Sequence, residues 1–247
     1  MSPLRLIAPL TMKVWLAPFV GIGLFSASAV PALAAERTFM VSSFENLIVE
    51  GNVQVRVITG SAPSAKATGD KRMIDTVRVE RSGNSVTVRY RPTLESRNTS
   101  GKPLTVVLTT HSLQTIIIRG SADVKADKIK ANIARLEIQG AGSLTVDDIK
   151  SDRLISIITG SAKFAVAKGA VRSGEVLIDG AADVVAPEVI FNDLRLIQNG
   201  QAKSQLRAER KVEISTAGSG SIEILGKATC FVREGGNANI KCKGHGI

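Results

Sequence analysis

Ile116–Val124 reads IIIRGSADV: an apolar run, a glycine and two small residues, after which the apolar pattern resumes. The phrase returns as LEIQGAGSLTV at 136–146, ISIITGSAKFAV at 155–166, VLIDGAADVV at 176–185 and LRLIQNGQAKSQL at 194–206. Gly120, Gly140, Gly160, Gly180 and Gly200 are spaced by twenty residues, and Gly218 and Gly236 follow at spacings of eighteen. A fixed period of this length marks a stacked array, because one unit cannot bury its own apolar face.

Within each unit the period is two. The second position before glycine is Ile118, Ile138, Ile158 and Ile178, then Gln198 and Thr216. The fourth position before it is Ile116, Leu136, Ser156, Val176, Leu196 and Ile214. Two places after glycine stands a small residue, from Ala122 to Gly220, and four places after it are Val124, Leu144, Phe164, Val184, Ser204 and Ile222. Alternation on both sides of the glycine predicts two short strands joined at a bend, and no helical period competes with it. The expected fold is all-β, a single-stranded right-handed parallel β-helix with about twenty residues per coil and rungs about 4.8 Å apart. Gly60, Gly120, Gly140, Gly160, Gly180, Gly200 and Gly218 are its expected corner glycines, because glycine enters positive φ at little cost. Gly60 joins the set through its TGSA tetrapeptide, which recurs at 159–162.

Residues 1–34 read differently. Arg5 and Lys13 precede the apolar run VWLAPFVGIGLFSASAV, and an Ala-x-Ala site ends at Ala34. This is the pattern of a cleaved signal peptide, so the chain is expected to be exported, to the periplasm or the outside of a bacterial cell. No later segment is apolar for long enough to span a bilayer. Residues 35–247 then form one solenoid domain. Its part 35–110 is less regular and carries a hairpin insertion at ERSGNSVTV, and the polar stretch RPTLESRNTSGKP reads as a loop. Regular coils fill 111–225 and a carboxyl-terminal cap fills 226–247. Export permits a disulfide between the two cysteines, Cys230 and Cys242. In the cap they flank a reversal at Gly235 and Gly236, with Phe231, Val232 and Ile240 as apolar cover.

The arrangement resembles the head GIN domain, a family of unknown function described as "putative autotransporter adhesin" heads. The resemblance runs from about Phe44 to Ile240 and is carried by FENLIVEGNVQVRVITGS, IDTVRVERSGNSVTVRY and the GSA, GAG and GAA corners. It implies an exported bacterial β-helical protein without known catalysis. No segment of this sequence reads as a membrane β-barrel of the autotransporter kind, so a complete autotransporter is not expected.

Chemistry is sparse. A lyase of β-helical type would need stacked carboxylates for calcium and a basic proton acceptor. The third position after glycine reads Asp123, Ser143, Lys163, Asp183, Lys203 and Ser221, with no carboxylate pair on adjacent coils. Asp147 and Asp148 are consecutive and so are expected on opposite faces. His111 and His245 lie far apart in the chain, and no metal-ligand or nucleophile spacing emerges. The sequence therefore reads as non-enzymatic, with no metal and no cofactor; a polysaccharide-active enzyme is the remote alternative. Asp183 between Lys163 and Lys203 suggests an ion ladder on a solvated edge.

Outward positions carry the functional reading. If the second and fourth positions before glycine point in, the third and fifth point out. Ile155, Ile157, Leu177 and Ile197 then form one apolar strip, with Glu175, Arg195 and Glu213 as its charged margin. Such a strip marks an interface unless part of the chain covers it. The leading expectation is a binding or adhesion module of the cell envelope. The alternative is a periplasmic structural or regulatory protein that docks an envelope partner through the strip. The partner is a protein, an envelope or polysaccharide surface, or a second copy in a homo-oligomer. The net charge of +10 favours anionic surfaces. Aromatic residues make up only 4% of the chain, which disfavours stacking platforms for sugars as well as for bases and makes nucleic acid an unexpected partner.

Overall fold

In a computed structural model, residues 35–94, 103–234 and 236–244 are described. The expected signal peptide, most of the polar loop after Tyr90, Gly235 and His245 lie outside them. The repeats form long strands: β9 (Asp123–Gly140), β10 (Ser143–Gly160), β11 (Lys163–Gly180), β12 (Asp183–Gly200) and β13 (Lys203–Gly218). Each is parallel to the next with an offset of one repeat, so that Ile157 stands opposite Leu177 and Gly160 opposite Gly180. The chain is a parallel β-solenoid with coils of about twenty residues.

The strands do not stop where alternation predicted. Each continues around two more bends, so the coil has three faces rather than two. In β10 the buried residues Leu154, Ser156 and Ile158 line the face before the glycine. In β11, Phe164 and Val166 continue the face after the glycine. On a third face only two residues per coil turn inward: Ile129 and the part-buried Ala131, Ile149 and Ser151, Val189 and Phe191. Two residues are too few for a period to register, which is why this face was not visible in the pattern. The shorter spacing to Gly218 is absorbed here, where the pairing of β12 with β13 shifts register between Ala186 and Ile190 and again between Phe191 and Asp193.

The corner column has a double requirement. From Gly120 to Gly200 its five glycines have φ between 90° and 128°, a region closed to most residues. Successive corners also stack closely, so that a Cβ on Gly140 would lie 2.6 Å from the carbonyl oxygen of Gly120. Two expected members differ. Gly218 does not have positive φ; it is glycine because a Cβ would strike the Gly200 carbonyl. Gly60 has φ 83° but is not in the column. The residue opposite Gly120 is Gly51, and Val49, Leu47 and Val55 match the coil template around it.

The amino-terminal part belongs to the same solenoid but is threaded out of order. β2 (Asn46–Gly51) and β3 (Gln54–Thr59) lie against β8 (Thr115–Gly120) and β9. On their other side they meet β6 (Ser85–Tyr90) and β7 (Thr105–Thr110), which come later in the chain. The second coil thus precedes the first in sequence. Antiparallel strands close this end: β5 (Val77–Ser82) pairs β6 in the expected hairpin, β4 (Ser64–Gly69) pairs β7, and β1 (Ala35–Phe39) pairs β4. A helix, α1 (Lys71–Thr76), lies between β4 and β5. It is too short to show a helical period, although Asp70 caps it by accepting from the Arg72 N–H at 2.9 Å.

The carboxyl-terminal segment is not a reversal. β14 (Ser221–Leu225) completes the face after Gly218, and β15 (Thr229–Glu234) lies parallel to β13. β16 (Asn239–Cys242) lies parallel to β14, so the chain turns one more corner and adds a partial coil. Cys230 stands opposite Val212 and Cys242 opposite Ile224, both inward columns. The disulfide joins them across the interior with Cα atoms 6.6 Å apart, tying two faces of the last coil together. Phe231 is not cover: it points outward, about half exposed, with the Lys211 ammonium over its ring. Replacing both cysteines with serine is expected to cost ~3 kcal/mol. The loss should be concentrated at this end, so hydrogen exchange at the Ile222 and Ile224 amides should quicken while exchange at Ile158 stays unchanged.

Candidate functional site

On the face before the corner glycine the outward residues stand in straight columns along the stack. Ile157, Leu177 and Ile197 are in register on three consecutive strands, spanning about 10 Å at the usual rung spacing. Each is part-buried by its neighbours. Ile155 stands one column away, in register with Arg135 on one side and Glu175 on the other. That second column continues through Arg195 and Glu213. The structure therefore brings together all six residues expected at the strip, as two adjacent columns.

Three further residues share the column outside the expected strip: two isoleucines and a glutamate. Ile48 pairs Ile117, and Ile117 pairs Glu137, which pairs Ile157. Glu137 interrupts the column but is only 9% exposed. Arg135 donates to it at 2.8 Å and Gln139 at 2.5 Å. The signal was present in RLEIQ, where alternate outward residues bracket the carboxylate with two donors. Ile48 escaped because the early coils were not aligned on Gly51, and Ile117, three places before Gly120, was set apart from the strip by Glu137.

The margin is organised by local ion pairs rather than by one rail. Glu175 pairs Arg153 at 3.2 Å. Glu213 pairs Lys211 at 2.7 Å and Arg233 at 3.5 Å. The Lys211 hydrogen bond, then the charges of Arg233, Lys211 and Arg195, hold the Glu213 carboxyl below its ordinary range. On the same face Glu50 sits between Arg89 at 2.7 Å and Arg119 at 3.2 Å, and its carboxyl is lowered chiefly by the Arg89 hydrogen bond.

The ion ladder expected after the corner does not form. Asp183 is in register with Lys163 and Lys203, but neither pair closes to within 4 Å. Asp147 and Asp148 are not on opposite faces. The alternation slips at that bend, and neither carboxylate turns into the core. His111 is exposed. Among the described residues no cluster of three His, Cys, Asp or Glu side chains could hold a metal ion, and no helix is long and apolar enough to cross a membrane.

No functionally curated protein matches the chain. Several solved structures share its fold. One is a "putative adhesin" from Parabacteroides merdae, at 15% identity and a TM-score of 0.64, covering 86% of this chain and 97% of that one. A "putative adhesin" from Bacteroides fragilis reaches 17% identity and a TM-score of 0.66, over 87% and 95% of the two chains. A "putative lipid binding protein" from Parabacteroides distasonis has 13% identity and a TM-score of 0.55, over 87% and 96%. A family model matches residues 43–228, most of the solenoid, and by that match the chain belongs to the family described as "Putative auto-transporter adhesin, head GIN domain".

Proposed function

We propose that the chain is a non-enzymatic binding module of adhesion type that acts outside the cytoplasm, and that the face before the corner glycines is its contact surface. Its occupant is a protein with an apolar patch. The observation that carries the reading is the column Ile157–Leu177–Ile197, with Ile155 beside it. A solvated sheet face alternates apolar-in with polar-out, and here the outward positions are apolar on consecutive coils. Contiguous apolar patches rimmed by charge are the usual form of a protein-binding surface. Glu175 and Arg195 supply such a rim and would set the register of the partner. Family membership and the fold of the structural neighbours support the adhesion-like reading, and the disulfide supports an oxidising compartment.

The test is the double substitution Ile157→Lys with Leu177→Lys. Both side chains point away from the core, so the melting temperature should stay close to that of the parent protein. Cross-linking on intact cells should give an adduct with the parent chain and none with the variant. Unfolding of the variant would show that the strip is covered from within, and an undiminished adduct would place the contact elsewhere. Fractionation of the same cells reports whether the adduct is at the surface or in the periplasm.

A further inference from the structure

The third face of the coils carries a groove of about 520 Å³ that crosses four successive rungs. Lys130 and Lys150 form one wall, in register on adjacent strands. Both are exposed, and among the described residues neither has an ion-pair partner. Like charges directly opposite one another on neighbouring strands are unfavourable, and Asp152, the carboxylate that lines the same groove, pairs with Arg172 rather than with either lysine. Arg172 extends the positive charge to the next coil, with Asp152 at 3.5 Å on one side of it. A smaller pocket of about 210 Å³ shares Lys130 and adds Lys128 and His111. Asn132 and Asn192 stand at either end of the groove, and Ala170, Val171 and Ile190 supply apolar lining.

We infer that this groove binds an acidic polysaccharide, a linear chain bearing a carboxylate on each sugar ring. One ring is about as long as one rung of the solenoid, so the long, flexible Lys130 and Lys150 side chains, one rung apart, can each reach a carboxylate of a neighbouring ring even where the two point to different sides of the chain. The asparagine amides offer donors and acceptors to sugar hydroxyls. The apolar lining receives the C–H face of a ring. No aromatic side chain lines the groove, so nucleic acid bases would have nothing to stack on. The lysine pair then has a reason to persist, since it is neutralised on binding. This surface is distinct from the apolar strip and stands or falls separately from it.

The experiment titrates polygalacturonate into the protein purified from the expressing cell, at low salt, by calorimetry. Binding is expected, weakening as salt is added, with no binding to neutral dextran. Lys130→Gln with Lys150→Gln should bind at least tenfold more weakly at an unchanged melting temperature. Lys203→Gln with Lys227→Gln, which removes two exposed lysines outside the groove, should bind as the parent does. The inference is overturned if polygalacturonate does not bind, or if the two lysine pairs have equal effects. It is also overturned if a single-stranded oligonucleotide or an anionic phospholipid vesicle binds as tightly through Lys130 and Lys150, which would make the groove a site for phosphate.

Discussion

Gly160→Val is expected to destabilise the fold by roughly 2–6 kcal/mol, the sum of backbone strain and overpacking. At φ 109° a β-branched residue is strained wherever it stands. Here the new Cβ would also strike the carbonyl oxygen of Gly140. That oxygen cannot simply retreat, because it accepts the Ser161 N–H at 3.0 Å, one of the hydrogen bonds that carry the ladder around the corner. Gly60→Val separates the two causes. Gly60 has φ 83° but open space where a Cβ would go, so only the strain remains, ~1–3 kcal/mol. Thermal melts of the two variants check this, and equal losses would refute the close approach of corners as the reason for the glycine column.

Phe191→Ala is expected to cost ~3–5 kcal/mol, the range for truncating a buried aromatic side chain. Phe191 is 2% exposed on the third face. Its ring occupies space left by Gly174, where a Cβ would come within 2.5 Å of ring carbons. The residues in register with Gly174 are Leu154 and Leu194, so the leucine that one coil lacks is replaced by a phenylalanine from the next coil. The exchange predicts coupling. Gly174→Ala alone should overpack the site by ~1–3 kcal/mol, whereas in the Phe191→Ala background it should be close to neutral. A double-mutant cycle measures the difference, and simple additivity would mean that the ring and the glycine do not share that space.

Much of the solenoid was legible in the chain because its signals are short-range. Gly120 to Gly200 announce the corner, and the parity of Ile116, Leu136, Val176 and Leu196 assigns the interior. The same parity placed Ile155, Ile157, Leu177 and Ile197 outside, where the structure has them. What was not legible depends on long-range pairing or on patterns too short to count. Ile129 and Ile149 hint at a third face, but each coil contributes only one other inward residue there. TGSA at 59–62 resembles the corner phrase, yet pairing of β2 with β8 makes Gly51 the stacked residue. Cys230 and Cys242 were paired correctly, but the direction of the chain between them depends on β16 lying on β14, which local sequence does not specify. The groove at Lys130 and Lys150 was hidden for the same reason as the face that bears it.

The swapped order of the first two coils also constrains when the fold can begin. Synthesis proceeds from the amino end, and repeat arrays can ordinarily nucleate at any point and grow outward. β2 and β3 emerge early, but their parallel neighbours on one side are β6 and β7 and on the other β8 and β9. Until Ser85–Tyr90 and Thr105–Thr110 have been made, this first-born pair has no parallel template. Closing the intervening loops must precede any gain from pairing. The opening block therefore cannot pair until the chain has emerged to about residue 110, and it then assembles as one cooperative unit. From Thr115 onward each new coil lies down on a finished edge, and accretion becomes local and fast until the Cys230–Cys242 bond closes the last rung.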